Sequence, residues 1–133
     1  MSIKDYIKKY VSECGIFVPD NFWGFDEVEL AVFTNGCGPR GFGDKIVPDK
    51  LLFLSVKAAC IIHDFSYNMG ETPEDKNRAD FNFLVNMLHI INAKSRFWPF
   101  KMIRRRLALA YYDAVSEFGE GCFKDKSYKG EPK

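Results

Sequence analysis

Two long helical patterns, separated by a connection of three residues, occupy the centre of this 133-residue chain. Gly70 ends the first pattern, and Thr72 can cap the second, with Pro73 in its first helical position. Helices joined by so short a connection pack against each other as antiparallel neighbours. We therefore expect an all-α (mainly α) fold built on two helices, over residues 49–69 and 73–94.

The remaining segments complete the predicted helical protein. Apolar residues recur at helical spacing over residues 2–12, and a last helix is expected over about 100–118. Residues 15–34 predict irregular structure or a short strand near "ELAVF". Residues 35–49 hold four glycines and two prolines and predict a loop longer than most connections. A polar tail follows from about residue 124.

The composition restricts the class of protein. Hydrophobic residues make up 47% of the chain, enough for a single domain over residues 1–133 with one core. Lys and Arg total 19 against 18 for Asp and Glu, so the charge gives no reason to expect a nucleic-acid partner. No stretch reaches the roughly 18 to 20 apolar residues of a membrane span, and the N-terminus lacks a signal-peptide pattern.

His63 and Asp64 stand side by side in the apolar stretch "AACIIHDFSY". The midpoint of positions 63 and 80 lies in the connection, so His63 and Asp80 should face each other, each roughly 13 Å from the turn. Tyr67 lies one turn after His63 on the same helix face. These three side chains can therefore converge. A carboxylate behind a histidine fixes its tautomer and stabilises the imidazolium that forms when it takes a proton.

Asp64 lies about 100° around the helix from His63 and points towards other neighbours. The glycine-rich loop at 35–49 is the natural candidate, because glycines let a loop turn its carbonyls inward at little steric cost. A carboxylate combined with backbone carbonyls favours calcium. An alternative is that His63 is a structural core residue whose hydrogen bonds are made to a neighbouring side chain. These features alone do not exclude that alternative, and they do not identify a substrate.

The same residues resemble the phospholipase A2 family, most closely its group XII, bacterial and viral-capsid branches. The family motif places a cysteine three residues before a His-Asp pair and a tyrosine after it, as do Cys60, His63, Asp64 and Tyr67. Upstream, "NGCGPRG" is similar to the family's glycine-rich calcium loop. Downstream, "RADFNF" resembles the helix that supplies the supporting aspartate, here Asp80. The resemblance covers roughly residues 35–85.

This resemblance implies a calcium-dependent ester hydrolase that cleaves the sn-2 bond of phospholipids and releases a fatty acid and a lysophospholipid. His63 would be the general base for the attacking water, and Asp80, helped by Tyr67, would orient it. The cofactor Ca²⁺ would polarise the ester carbonyl. Its ligands would be one carboxylate and three loop carbonyls, from Asp64, Gly36, Gly38 and Arg40.

The resemblance also implies a disulfide between Cys37 and Cys60. It favours a secreted or extracytoplasmic location, although the chain shows no signal peptide. In this family the N-terminal helix helps wall the acyl channel. That role would fall to four residues of the helix predicted at 2–12, which more often belong simply to a core: Ile3, Tyr6, Ile7 and Tyr10.

The expected partner is a phospholipid membrane surface or micelle. The segment "KSRFWPFKMIRRR" would supply interfacial residues, of which we single out Trp98, Arg104 and Arg105. The alternative is a solvated helix start with aromatic side chains packed inward.

Two other functions compete with hydrolysis. One is a catalytically silent phospholipid-binding or interaction module on the same fold, which calcium-dependent fatty-acid release would distinguish. The other is a metal phosphohydrolase with an adjacent His-Asp pair. Such a site needs further histidine ligands, and this chain offers only His89.

Overall fold

The computed structural model describes residues 1–34 and 49–118, and 77% of these residues are helical. This confirms the prediction of a mainly α protein. The helices in chain order are α1 (Ile3–Cys14), a 3-10 helix (Asp20–Gly24), α2 (Glu27–Phe33), α3 (Lys57–Met69), α4 (Pro73–Lys94) and α5 (Trp98–Phe118). Strands β1 (Lys50–Leu51) and β2 (Leu54–Ser55) form an antiparallel hairpin before α3.

Helices α3 and α4 form the predicted helical hairpin. Helix α3 ends before Gly70, and α4 has the predicted bounds. A capping box fixes the start of α4: the Thr72 hydroxyl accepts a hydrogen bond from the Asp75 N–H, and the Asp75 carboxylate accepts one from the Thr72 N–H, both at 3.1 Å. These local bonds explain why the sequence predicted this boundary correctly.

The first part of the helix predicted over residues 49–69 is instead the β1–β2 hairpin. Its two central residues, Leu52 and Phe53, have positive φ angles of 45° and 70°. Such angles are uncommon for L-amino acids and persist only with tertiary support. Arg104 of α5 provides this support by donating a hydrogen bond to the Leu52 carbonyl at 2.8 Å. Helix α3 therefore begins only at Lys57.

The stretch "ELAVF", for which a short strand was one prediction, lies in helix α2. Asp26 and Glu29 form a capping box at its start, with side-chain to backbone distances of 2.8 and 2.9 Å. Leu30 and Phe33, three residues apart, are buried. A short apolar run does not distinguish strand from helix by periodicity alone, and the D-x-x-E capping signal decides it.

The boundaries of the first and last helices also differ from the prediction. Helix α1 extends to Cys14, where Gly15 ends it in the left-handed conformation with φ 73°. Helix α5 starts at Trp98, two residues before the predicted position. None of the described helices is long and apolar enough to cross a membrane.

An aromatic core holds the helices together. Phe22 and Phe65 are fully buried and meet edge-to-face at 5.2 Å between ring centroids, and Phe25 and Phe33 pack against the same group.

Asn86 of α4 holds the segment that follows α1. Its side-chain amide accepts a hydrogen bond from the backbone N–H of Phe17 at 2.8 Å and donates one to that residue's carbonyl at 3.0 Å.

Candidate functional site

The buried carboxylate of Asp80 is the centre of the candidate site. Its Oδ1 lies 2.8 Å from His63 Nε2 and accepts a hydrogen bond from the Tyr67 hydroxyl at 2.6 Å. Its Oδ2 accepts one from Lys76 Nζ, also at 2.6 Å. Only 1% of Asp80 is exposed, and the three donor residues are buried as well. The structure thus brings together His63, Tyr67 and Asp80, as the sequence predicted.

The two helices deliver these side chains by simple spacing. His63 and Tyr67 lie one turn apart on α3, and Lys76 and Asp80 lie one turn apart on the facing side of α4. The imidazole of His63 also stacks on Phe83, with ring centroids 4.5 Å apart and planes inclined by 26°. The ring is therefore fixed by packing on its face and by a hydrogen bond at its edge.

The electrostatics of the cluster favour a neutral histidine beside an ionised carboxylate. Burial lowers the pKa of His63, and its hydrogen bond to Asp80 opposes this only in part. Burial would raise the pKa of Asp80, but hydrogen bonds from His63, Lys76 and Tyr67 hold it below its usual value. Burial and the Asp80 carboxylate raise the pKa of Tyr67, which keeps its phenol protonated as a donor.

The protonation state assigns the two ring nitrogens of His63. An ionised carboxylate can only accept hydrogen bonds, so the Asp80 Oδ1 contact places the proton on Nε2. Nδ1 is then the basic nitrogen, and its lone pair can take a proton. This is the tautomer that a general base needs.

Lys76 is a site residue that the sequence prediction missed. Its ammonium donates to Asp80 and to the carbonyls of Val115 and Ser116 in α5, at 3.2 and 3.4 Å. The i, i+4 spacing of Lys76 and Asp80 was a visible signal. Nothing local showed that this pair is buried, because α5 provides the cover.

Of the predicted calcium ligands, only Asp64 lies among the described residues. Its side chain is half-buried on α3, next to His63. The carbonyl ligands predicted at Gly36, Gly38 and Arg40 lie outside the described residues. Within residues 1–34 and 49–118, no three His, Cys, Asp or Glu side chains group as a metal site would require. The predicted donor set needs only one carboxylate, so Asp64 fits it.

The end of α2 brings the chain to α3 just before the glycine-rich segment. The Asn68 side chain donates to the Phe33 carbonyl at 2.7 Å and to the Asp64 carbonyl at 3.0 Å. The end of α2 at Phe33 therefore lies beside α3, within one turn of Asp64. Of the predicted disulfide, Cys60 is half-buried on α3, and Cys37 lies outside the described part of the chain.

An apolar cleft of about 350 Å³ lies between α1, α2 and α3. Ile3 and Tyr6 of α1, two of the residues considered for an acyl channel, line it together with Ile61 of α3. Ile61 is one turn before Asp64 on the same helix face. By contrast, Ile7 is fully buried in the core.

The predicted interfacial residues occupy two different environments. Trp98 is 68% exposed, and Arg105 is exposed and donates a hydrogen bond to Asn92. Arg104 is only 9% exposed, and its guanidinium donates to the Leu52 carbonyl and to the Ser95 hydroxyl. The prediction that Arg104 is an interfacial residue is therefore wrong. Its side chain anchors the β1–β2 hairpin and does not lie on the surface with Trp98.

No family model, curated protein or solved structure gives a significant match to this chain. The likeness to phospholipases A2 therefore depends on the motif residues themselves. The hydrogen bonds from His63 and Tyr67 to Asp80 show which chemistry these motif residues can support.

Proposed function

We propose that this protein is a calcium-dependent phospholipase A2-like hydrolase in which His63 is the general base. One observation carries the proposal: the buried imidazole of His63 lies 2.8 Å through Nε2 from the Asp80 carboxylate, and Asp64 is the next residue in sequence. The Nδ1 lone pair would remove a proton from the water that attacks the sn-2 ester. A positioned base of this kind contributes about 10²–10⁴-fold to a rate.

The chain's other residues would support that proton transfer. Asp80 would orient the imidazole and stabilise its positive charge after it accepts the proton, and Tyr67 would fix the carboxylate by its 2.6 Å hydrogen bond. Asp64 and the carbonyls of Gly36, Gly38 and Arg40 would hold Ca²⁺, which would supply charge stabilisation for the ester oxygen. The cleft beside Ile3 and Tyr6 would accept an acyl chain, because its lining is mainly apolar.

The decisive experiment measures fatty-acid release from mixed phosphatidylcholine and phosphatidylglycerol vesicles, with excess calcium and with chelator. We expect release only with calcium. His63→Gln should reduce it by about 10²–10⁴-fold, because the amide cannot take the proton. His89→Gln is the matched control, because His89 is the other histidine of the chain and is exposed on α4. Undiminished release by a folded His63→Gln variant would exclude His63 as the base.

The calcium assignment has its own test. Asp64→Asn removes one negative charge from the predicted ligand set, so calcium affinity in titration calorimetry should fall at least about tenfold. Asp113→Asn changes an exposed acid on α5 and should leave the affinity unchanged. Equal calcium affinity for Asp64→Asn and the wild-type protein would remove Asp64 from the ligand set.

The exposed start of α5 supports the second candidate, a phospholipid-binding module without turnover. Phe97 and Trp98 are 59% and 68% exposed, and the exposed cations Arg105 and Arg106 follow about two turns later on α5. Aromatic rings and cations in this combination suit an anionic lipid surface. Vesicle sedimentation that is weakened by Trp98→Ala, without any fatty-acid release by the wild-type protein, would favour this module over the enzyme.

A further inference from the structure

The ammonium of Lys76 joins helices α4 and α5 in the interior. Only 6% of the residue is exposed, and its Nζ contacts Asp80 Oδ2 on its own helix and the carbonyls of Val115 and Ser116 on α5. An ammonium has three donors, and these acceptors match them in number. The proposed chemistry at His63 does not use Lys76, so its burial requires another explanation.

Lys76 also supplies a charge that α5 lacks. Helix α5 has no basic residue in its last turn, where the helix dipole is negative and a cation is favourable. The carbonyls of Val115 and Ser116 lie in that region and accept the Lys76 ammonium. The position of the ammonium is therefore set from two sides, by α4 and by the end of α5.

This arrangement divides the two oxygens of Asp80 between different partners. Oδ2 bonds to Lys76, which leaves Oδ1 for His63 and Tyr67. The terminal torsion of an aspartate is broad, so the carboxylate can rotate unless both oxygens are held. Rotation would move Oδ1 away from Nε2 of His63. The hydrogen bond would then no longer keep the proton on that nitrogen.

We propose that Lys76 is a positioning residue, which locks the Asp80 carboxylate against α5 and thereby holds His63 in the tautomer with the proton on Nε2. The inference rests on the proposed function only for the predicted effect on turnover. The hydrogen bonds that position His63 are already present in the protein without substrate. It can therefore be measured whether or not the protein hydrolyses a phospholipid.

The test uses nuclear magnetic resonance of ¹⁵N-histidine in calcium-free protein at neutral pH, with His89→Gln to assign the two rings. The wild-type protein should show His63 as a single Nε2–H tautomer. Lys76→Met should give averaged or broadened His63 nitrogen signals in a folded protein. Arg78→Met, an exposed position two residues away on α4, should leave them unchanged.

Unchanged His63 signals in folded Lys76→Met would overturn the proposal. If that variant does not fold, Lys76→Leu carries the same test, because leucine is a good helix former and has no donor for Oδ2. Averaged His63 signals are again the expected result, and a retained single tautomer would be contrary to the proposal.

Turnover gives an independent reading. In an active wild-type protein, the Lys76→Met change should lower kcat at least about tenfold with little change in KM, because a misplaced base affects the chemical step. A raised KM with unchanged kcat would contradict the positioning role. Disturbed His63 signals in a protein whose wild type releases no fatty acid would uphold the positioning role while the proposed function failed.

Discussion

Asp80 keeps its negative charge in the interior because three side chains donate hydrogen bonds to it. One of them, Lys76, is a buried cation whose only carboxylate partner among the described residues is Asp80. A buried ion pair contributes little net stability, but removing one partner leaves an uncompensated charge in the core. The two acceptor oxygens of Asp80 therefore matter for folding as well as for the proposed chemistry.

We expect Asp80→Asn to lower the free energy of unfolding by about 3–5 kcal/mol, because it leaves the Lys76 ammonium buried without a counterion. Urea unfolding followed by circular dichroism would measure this. Tyr67→Phe removes one hydrogen bond to the same ionised carboxylate and leaves the ion pair intact, so it should cost less, about 1.5–3 kcal/mol. Equal losses for the two variants would show that the cluster does not hold a buried charge pair.

The residue-level prediction from sequence succeeded where geometry follows from helix spacing. His63 and Asp80 were predicted to face each other because their positions mirror each other across a short connection, and Tyr67 because it lies one turn after His63. Lys76 was missed because its burial depends on carbonyls 39 and 40 residues away, which no local pattern reveals. Three of the four predicted calcium ligands lie outside the described residues, so that part of the site remains a prediction.

Two side chains of α5 hold the β1–β2 hairpin. Arg104 donates to the carbonyls of Leu51 and Leu52, and Tyr111 of the same helix donates to the Lys50 carbonyl at 2.9 Å. These bonds offset the cost of the two positive φ angles at the turn of the hairpin. The hairpin is thus stabilised by a helix that begins more than 40 residues later in the chain.

Arg104→Met should destabilise the protein by about 1.5–3 kcal/mol, the range for hydrogen bonds that involve a charged group. Arg105→Met removes the exposed neighbour and should change stability by no more than about 0.5 kcal/mol. Chemical denaturation of both variants, with the wild-type protein, would provide the comparison. Similar stabilities for the two variants would mean that the hairpin does not need its guanidinium anchor.

Whole elements were predictable where their ends carry local signals. Both ends of α4 were correct, because Thr72, Pro73 and the capping box act within one turn. The start of α3 was wrong, because contacts with Arg104 override the local pattern over residues 50–55. Helix α2 was not predicted, because the short apolar run "ELAVF" does not distinguish a strand from a helix by its periodicity.

The stability of the whole molecule should decrease in acid because of Asp80. Its folded-state pKa lies below the ordinary value of 3.8, so the unfolded chain binds a proton more readily. The stabilisation is fully present above that ordinary value and is lost as the pH falls through the lower folded-state pKa. The groups that face the carboxylate are His63, Tyr67 and Lys76, together with the carbonyls at the end of α5.

We therefore expect the Tm to fall steeply as the pH is lowered from about 4 to 2. Asp80→Asn should flatten this decline, because the titrating carboxyl is gone. Differential scanning calorimetry of both proteins over this range would measure the effect. Parallel declines in Tm for the wild-type protein and the variant would show that Asp80 is not the group responsible.

The contact between Lys76 and the last turn of α5 also affects the order in which the site forms during synthesis. The His63–Asp80 pair spans only 17 residues and can form as soon as the helical hairpin has been synthesised. The bonds from Lys76 to Val115 and Ser116 must wait until nearly the whole described chain has left the ribosome. A nascent chain would thus form the His63–Asp80 pair before the contacts of Lys76 with α5. The site would be complete only when the C-terminal helix has folded.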